Sequence, residues 1–247
     1  MAIRAVLLDL FDTVVDLHME ELPSFQMGGR NMRGTQQALH AQLAAHSEID
    51  LESFVRELAA SDAEARQPLY EQGREFPTLL RFTRFLERID LGDRALAERL
   101  TQTHMDQIVS QTRYLPHHVE VLRELRRKAQ IGICSNFSHT PTGLRVLELA
   151  GLAPHCDAVA ISEEIGLRKP RPEIFHTLLE RLGVAPHEAL HVGDRLNADV
   201  RGASEIGAIP VWITRRVADP EAALAEYDGP NPAHVIEDLA ELHDLVG

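Results

Sequence analysis

Five side chains able to do chemistry stand just past apolar segments that read as strands. Asp9 follows IRAVLL, Ser135 closes IGICS, Lys169 lies beyond AVAI, and Asp194 follows ALHVG with Asp199 five residues later. In an open parallel sheet, ligands gather at the carboxyl ends of the strands, so these groups would share one rim. Three carboxylates, a hydroxyl and a lysine suit a hard divalent cation held by oxygen, with one carboxylate free to attack an electrophile.

The elements that must position them are legible as patterns. Ile3–Leu8 and Ile131–Ser135 read as buried strands, with roughly a hundred residues between them, too many for a structureless loop. That stretch is helical in pattern: Leu51–Ala65 forms one helix, and Leu79, Phe82, Leu86 and Ile89 line one face of another. Asp93 is placed to cap a helix running through Leu96, Leu100 and His104, and glycine-rich Met27–Gly34 reads as an internal loop. From Leu115 onward, helices and strands alternate, which means a parallel sheet covered on both faces. The helices are Val119–Ala129, Pro141–Ala150 before Gly151, a stripe of Phe175, Leu178, Leu179 and Leu182 before Gly183, and Ala198–Ile206. Strands fall at Ala158–Ile161, Ala189–Val192 and Pro210–Ile213; Asp219–Pro232 reads as loop and Val235–Leu245 as a last helix.

Composition narrows the function classes. The chain has 247 residues, 44% of them hydrophobic, and a formal net charge of −13. Such an acidic surplus disfavours binding to nucleic acid or to anionic membrane. No apolar run approaches the ~18 residues of a membrane span, and no signal-peptide core follows Arg4, so a cytoplasmic protein acting on small molecules is expected. Cys134 and Cys156 are too few for a disulfide framework and read as inert buried thiols. The 13 histidines, His117 and His118 among them, show no ligand spacing. Gly28 and Gly29 are not part of a dinucleotide-binding fingerprint.

Taken in order, the motifs resemble those of the haloacid dehalogenase (HAD) superfamily, which includes aspartate-nucleophile phosphatases and haloacid dehalogenases. The run from Asp9 to Thr13 matches D-x-D-G-T at its first and last positions; Ser135 matches the Ser/Thr that ends a strand. Leu167–Phe175 resembles the family's K-P-x-P-x-x-F run, and Gly193–Asp199 its G-D-x-x-x-x-D. The resemblance implies a Rossmann-like α/β core over 1–16 and 113–247, with a C1-type helical cap over 17–112. It implies Asp9 as nucleophile, Ser135 with backbone N–H groups and a helix N-terminus holding the transferring group, and Lys169 neutralising charge. It further implies Mg²⁺ bound by Asp9, Asp194 and the backbone carbonyl of Phe11, with Asp199 in or beside the metal shell. Phe11, Thr13 and Asn136 would line the substrate site, and Arg30, with Arg33 near it, could reach a substrate anion from the insert.

Phe11 departs from the pattern. It occupies the place of the phosphatase general acid/base, and an aromatic ring cannot move a proton. General acid–base help is worth ~10²–10⁴ in rate. An aromatic there is similar to haloacid dehalogenases, where halide leaves without a proton. Asp194 points the other way, because dehalogenases of the family work without metal and replace that aspartate. The expectation is a Mg²⁺-dependent phosphatase acting on small substrates with good leaving groups. The alternatives are a metal-independent 2-haloacid dehalogenase and a catalytically weak ligand-binding homologue.

Overall fold

A computed structural model describes residues 2–247. The chain begins with β1 (Ala5–Leu8), β2 (Val15–Leu17) and a hairpin of β3 (Ser24–Met27) and β4 (Arg30–Arg33). Helices α1 (Gln36–Leu43), α2 (Leu51–Glu71), α3 (Thr78–Arg88) and α4 (Arg94–Val109) follow, then β5 (Thr112–Tyr114). Next come α5 (Pro116–Leu125), β6 (Gln130–Ser135), α6 (Thr140–Leu149), β7 (Ala158–Ile161), α7 (Ser162–Ile165) and α8 (Pro172–Leu182). The last part holds β8 (Ala189–Gly193), a π-helical turn over Leu196–Val200 running into α9 (Arg201–Glu205), β9 (Ile209–Ile213), α10 (Pro220–Glu226) and β10 (His234–Ile236).

These elements form two compact units, one of residues up to Asp16 together with Arg113–Gly247, the other of Leu17–Thr112. The first unit is built on a six-stranded sheet in the order β10-β9-β8-β1-β6-β7, parallel throughout. Its central strand β1 is buried along its whole length, as a strand covered on both faces must be. Leu8, the last residue of β1, lies level with Ile133 of β6 and Val192 of β8, so Asp9, Ser135 and Asp194 all follow within two residues of that level. On one face, α8 buries Ile174, Phe175, Leu178 and Leu182 against Leu7, Cys134 and Ala160. Pro172 starts α8 and Gly183 ends it at φ 64°, a left-handed conformation that glycine takes without strain.

The second unit packs α1–α4 around Leu39, Phe54, Leu58, Phe82, Phe85, Leu86, Leu96 and Leu100. The side chain of Asp93 accepts from Leu96 N–H at 3.1 Å, capping α4 as its position predicts. Helix α2 runs on past Ala65 to Glu71 and carries Pro68 inside it.

Four sequence expectations need correction. Met27–Gly34 is not a loop: Gly28 and Gly29, both at positive φ, turn the β3–β4 hairpin, so Arg30 and Arg33 sit on a strand. Ala198–Ile206 is not one regular helix but the π-helical turn followed by α9. Asp219–Pro232 contains α10, whose N–H groups Asp219 caps at Ala222. Val235–Leu245 is not a helix: Val235 and Ile236 pair with Trp212 and Ile213 as edge strand β10, followed by a 3₁₀ turn over Leu239–Asp244. Among the described residues no helix is long and apolar enough to cross a membrane.

Candidate active site

The register of the parallel sheet assembles the site. Asp9 N–H donates to Val192 O at 2.9 Å, continuing the ladder one residue past β1 and setting Asp9 beside the β8 end that delivers Asp194. Ser135 ends β6 level with Ile161 of β7 and is almost wholly buried. One oxygen from each of Asp9, Asp194 and Asp199 lies within 4.8 Å of the others.

Lys169 is the hub. Its ammonium donates to Asp9 Oδ1 at 2.6 Å, Asp199 Oδ1 at 2.7 Å and Cys134 O at 2.6 Å. Those are all three of its protons, so it fixes the carboxylates and has none left over. Burial alone would lower its pKa, but Asp199 and Asp9 outweigh burial and hold it protonated.

Asp199 reaches the hub through unusual backbone. Across the π-helical turn, Val200 N–H turns back toward Arg195 O, five residues earlier, while Asp199 Oδ2 accepts from Arg195 N–H at 3.0 Å. Gly193 makes room: a Cβ there would lie 2.2 Å from Asp199 Cγ. His191, fully buried on β8, bonds Asp199 Oδ1 through Nε2 at 2.9 Å. Burial would raise Asp199, yet Lys169 and the His191 hydrogen bond hold it below the usual carboxylate range. Both Asp199 oxygens are thus occupied by protein donors, which makes it the anchor of Lys169 more than a free carboxylate.

The other two carboxylates shift upward. Burial, opposed by Lys169 and reinforced by Asp199, pushes Asp9 up to about 6. Burial and the charges of Asp9 and Asp199 push Asp194 up to about 7. Three carboxylates against one buried lysine, with the exposed Arg195 3.4 Å from Asp194 Oδ2, leave negative charge in surplus, and the donors are hard oxygens; that set fits a divalent cation such as Mg²⁺.

Sequence reasoning missed several contacts. The Asn136 side chain clamps the lysine backbone: its Nδ2 donates to Lys169 O at 2.9 Å and its Oδ1 accepts from Lys169 N–H at 2.7 Å. The N-terminal region of α6 is already partly satisfied, since Phe137 N–H donates to Ser162 Oγ and Thr140 N–H to Glu163 Oε2. Phe11 packs its ring on Phe137, centroids 4.8 Å apart, leaving an apolar wall where a phosphatase acid would stand. Asp12 adopts φ 58°, a left-handed conformation aspartate tolerates, and pairs with Arg216 at 3.3 Å. Thr13 is buried, and its carbonyl accepts from Arg215. Arg30 is exposed on β4 in the other unit. Cys134 lies beneath the site, its thiol pushed up to about 12 by burial and so inert.

A parallel sheet whose strand ends carry a paired aspartate–lysine beside two further carboxylates defines a hydrolase site. The chain belongs to the haloacid dehalogenase-like hydrolase family, whose model matches residues 3–207. It is 32% identical to the glyceraldehyde 3-phosphate phosphatase of Methanopyrus kandleri across 99% of this chain and 97% of that protein. It is 31% identical to the ribulose-1,5-bisphosphate 5-phosphatase of Halopiger xanaduensis across 87% of this chain and 92% of that protein. The 2-haloacid dehalogenase of Pseudomonas syringae pv. Tomato shares the fold, with a TM-score of 0.72, 22% identity and coverage of 98% and 97%.

Proposed function

We propose that the chain is a Mg²⁺-dependent phosphatase acting through Asp9 on small phosphorylated molecules with good leaving groups. The observation that carries this is the charge imbalance at Asp9, Asp194 and Asp199, which buried Lys169 and the exposed Arg195, 3.4 Å from Asp194 Oδ2, offset only in part. The phosphatases to which the chain is about one-third identical support the same chemistry. Asp9, Asp194 and the backbone carbonyl of Phe11 would hold the ion, and Mg²⁺ when bound would stabilise negative charge on the phosphoryl oxygens.

The chain's own residues do the rest. Lys169 holds Asp9 Oδ1, which orients the carboxylate and leaves its second oxygen to attack phosphorus. Asn136 keeps Lys169 in place from the backbone side, and Asp199 with His191 does so from the far side. Ser135, at the end of β6, is assigned to hold a phosphoryl oxygen. Phe11 offers no proton to the departing oxygen, so the leaving group must depart as a stable anion. The inserted unit, Leu17–Thr112, is proposed as the substrate-selecting cap on its place in the sequence between the first two motifs.

A series of aryl and alkyl phosphates tests this. Wild type should cleave activated aryl phosphates far faster than alkyl ones, and Phe11→Asp should narrow the gap by up to ~10²–10⁴. A wild-type rate that ignores leaving-group pKa would contradict it. The apolar Phe11–Phe137 pair favours a second reading, displacement of halide from short 2-haloacids without metal. There Phe11→Asp would add a charge beside Asp9 and slow halide release.

A further inference from the structure

Beyond the Asp9 centre, the α/β unit holds a second group of ligand-type side chains: His117 and His118 at the start of α5, and Asp238 just past β10. One donor atom from each lies within 4.8 Å of the others. His117 Nε2 sits 2.9 Å from Asp238 Oδ2, while Asp238 Oδ1 is taken by Ala240 N–H at 2.8 Å. The rings of His117 and His118 meet with centroids 4.5 Å apart.

His118 is what sets this group apart from a surface ion pair. It is fully buried, and its Nδ1 is 3.0 Å from Val14 O. A carbonyl can only accept, so Nδ1 carries the proton and Nε2 presents a lone pair. That Nε2 is buried and has no hydrogen-bond partner. Protonating it would bury an N–H with no acceptor, which costs more than leaving the lone pair bare. An imidazole pinned through Nδ1–H to a carbonyl, with Nε2 open, is how metal-ligating histidines are held. Arg215, whose charge also bears on His118, is neutralised by Asp16 at 2.6 Å.

We propose that His117, His118 and Asp238 bind a borderline-soft divalent cation of the Zn²⁺ type, with water completing the shell. Two imidazoles and a carboxylate select such an ion over Mg²⁺, which prefers oxygen donors alone. Bonds of about 2.0–2.1 Å in a tetrahedron put ligand atoms about 3.3–3.5 Å apart. Reaching that spacing takes a small rotation of His117, whose side chain is 49% exposed, toward Asp238, which Ala240 N–H holds in place. The ion would tie the start of α5 to the 3₁₀ turn that follows edge strand β10.

The test titrates Zn²⁺ into the full chain in excess Mg²⁺, by calorimetry and by thermal melting. Co²⁺ in place of Zn²⁺ reports four-coordinate geometry through its visible bands. Wild type should take up one Zn²⁺ per chain and melt at a higher temperature. His117→Ala and Asp238→Asn should weaken that binding by about 10–100-fold or more and lose the thermal shift. Their circular dichroism should stay that of wild type; if His117→Ala unfolds, His117→Gln takes its place. Zn²⁺ bound with the same affinity by wild type and variants would overturn the proposal, as would no Zn²⁺ uptake in the presence of Mg²⁺.

Discussion

Two buried sets of charges, one in each unit, are built to opposite ends. In the helical unit Asp62 on α2 meets Arg81 on α3 through three hydrogen bonds of 2.6–3.1 Å, with Arg66 a further 3.5 Å contact. The one carboxylate there is fully offset by arginine, as expected of a contact that only joins two helices. In the α/β unit three carboxylates crowd one lysine, and two of them are pushed toward neutrality. The carboxylate of the structural contact is balanced within the protein, whereas the site proposed to hold a cation and attack a phosphoryl group carries negative charge in surplus.

The same substitution type separates the two. Asp9→Asn should lower turnover on the order of 10⁴-fold or more, because an amide cannot attack. It should leave the metal-free protein as stable as wild type or more so, since one crowded charge is removed. Asp62→Asn should do the reverse, costing about 3 kcal/mol by leaving Arg81 without its partner. Paired melting and activity assays on both variants check this. Equal stability losses would erase the distinction between the two charge sets.

How much of this was legible in the sequence depends on distance along the chain. Asp9, Ser135 and Asp194 stand directly after strands, so their position on the rim follows from the parallel topology. Asn136 and His191 were opaque because what they do is set by partners elsewhere: Asn136 clamps a backbone 33 residues away, and His191 looks like any residue of a buried strand. His117, His118 and Asp238 have no ligand spacing because 121 residues separate two of them. At the C-terminus, Val235, Leu239 and Leu242 carry helical spacing. Strand β9 nevertheless offers an open edge, and pairing with it captures His234–Ile236. The cap of α10 was readable, since Asp219 before Pro220 is a helix-start signal.

The pH dependence sharpens the comparison. Asp9 and Asp194 have folded pKa values of about 6 and about 7, above the ordinary 3.8. Between pH 4 and 7 these two carboxyls hold more protons in the folded state than in the unfolded one, so their contribution to metal-free stability falls as pH rises, while that of His104, His118, His139 and His191, kept neutral by burial, rises. Mg²⁺ should flatten or reverse the slope. Melting curves of wild type and Asp194→Asn in chelator and in Mg²⁺ across that range check it; a metal-free pH slope unchanged by the substitution would contradict the crowding.

A smaller effect is expected at the back of the site. His191→Phe removes one donor from buried Asp199 and should cost about 1–3 kcal/mol of stability. Turnover should fall through kcat rather than KM, because the change reaches Asp9 only by way of Asp199 and Lys169. A pure KM effect would place His191 outside that chain of contacts.

The most direct measurement is release of inorganic phosphate from an activated aryl phosphate by the wild type, with Mg²⁺ and again in excess chelator, alongside halide release from 2-chloropropionate under both conditions. If the surplus charge around Asp9 and Asp194 exists to hold a cation for phosphoryl transfer, phosphate appears only with Mg²⁺ and halide in neither condition. Halide released in chelator, with no phosphate under either condition, would contradict it.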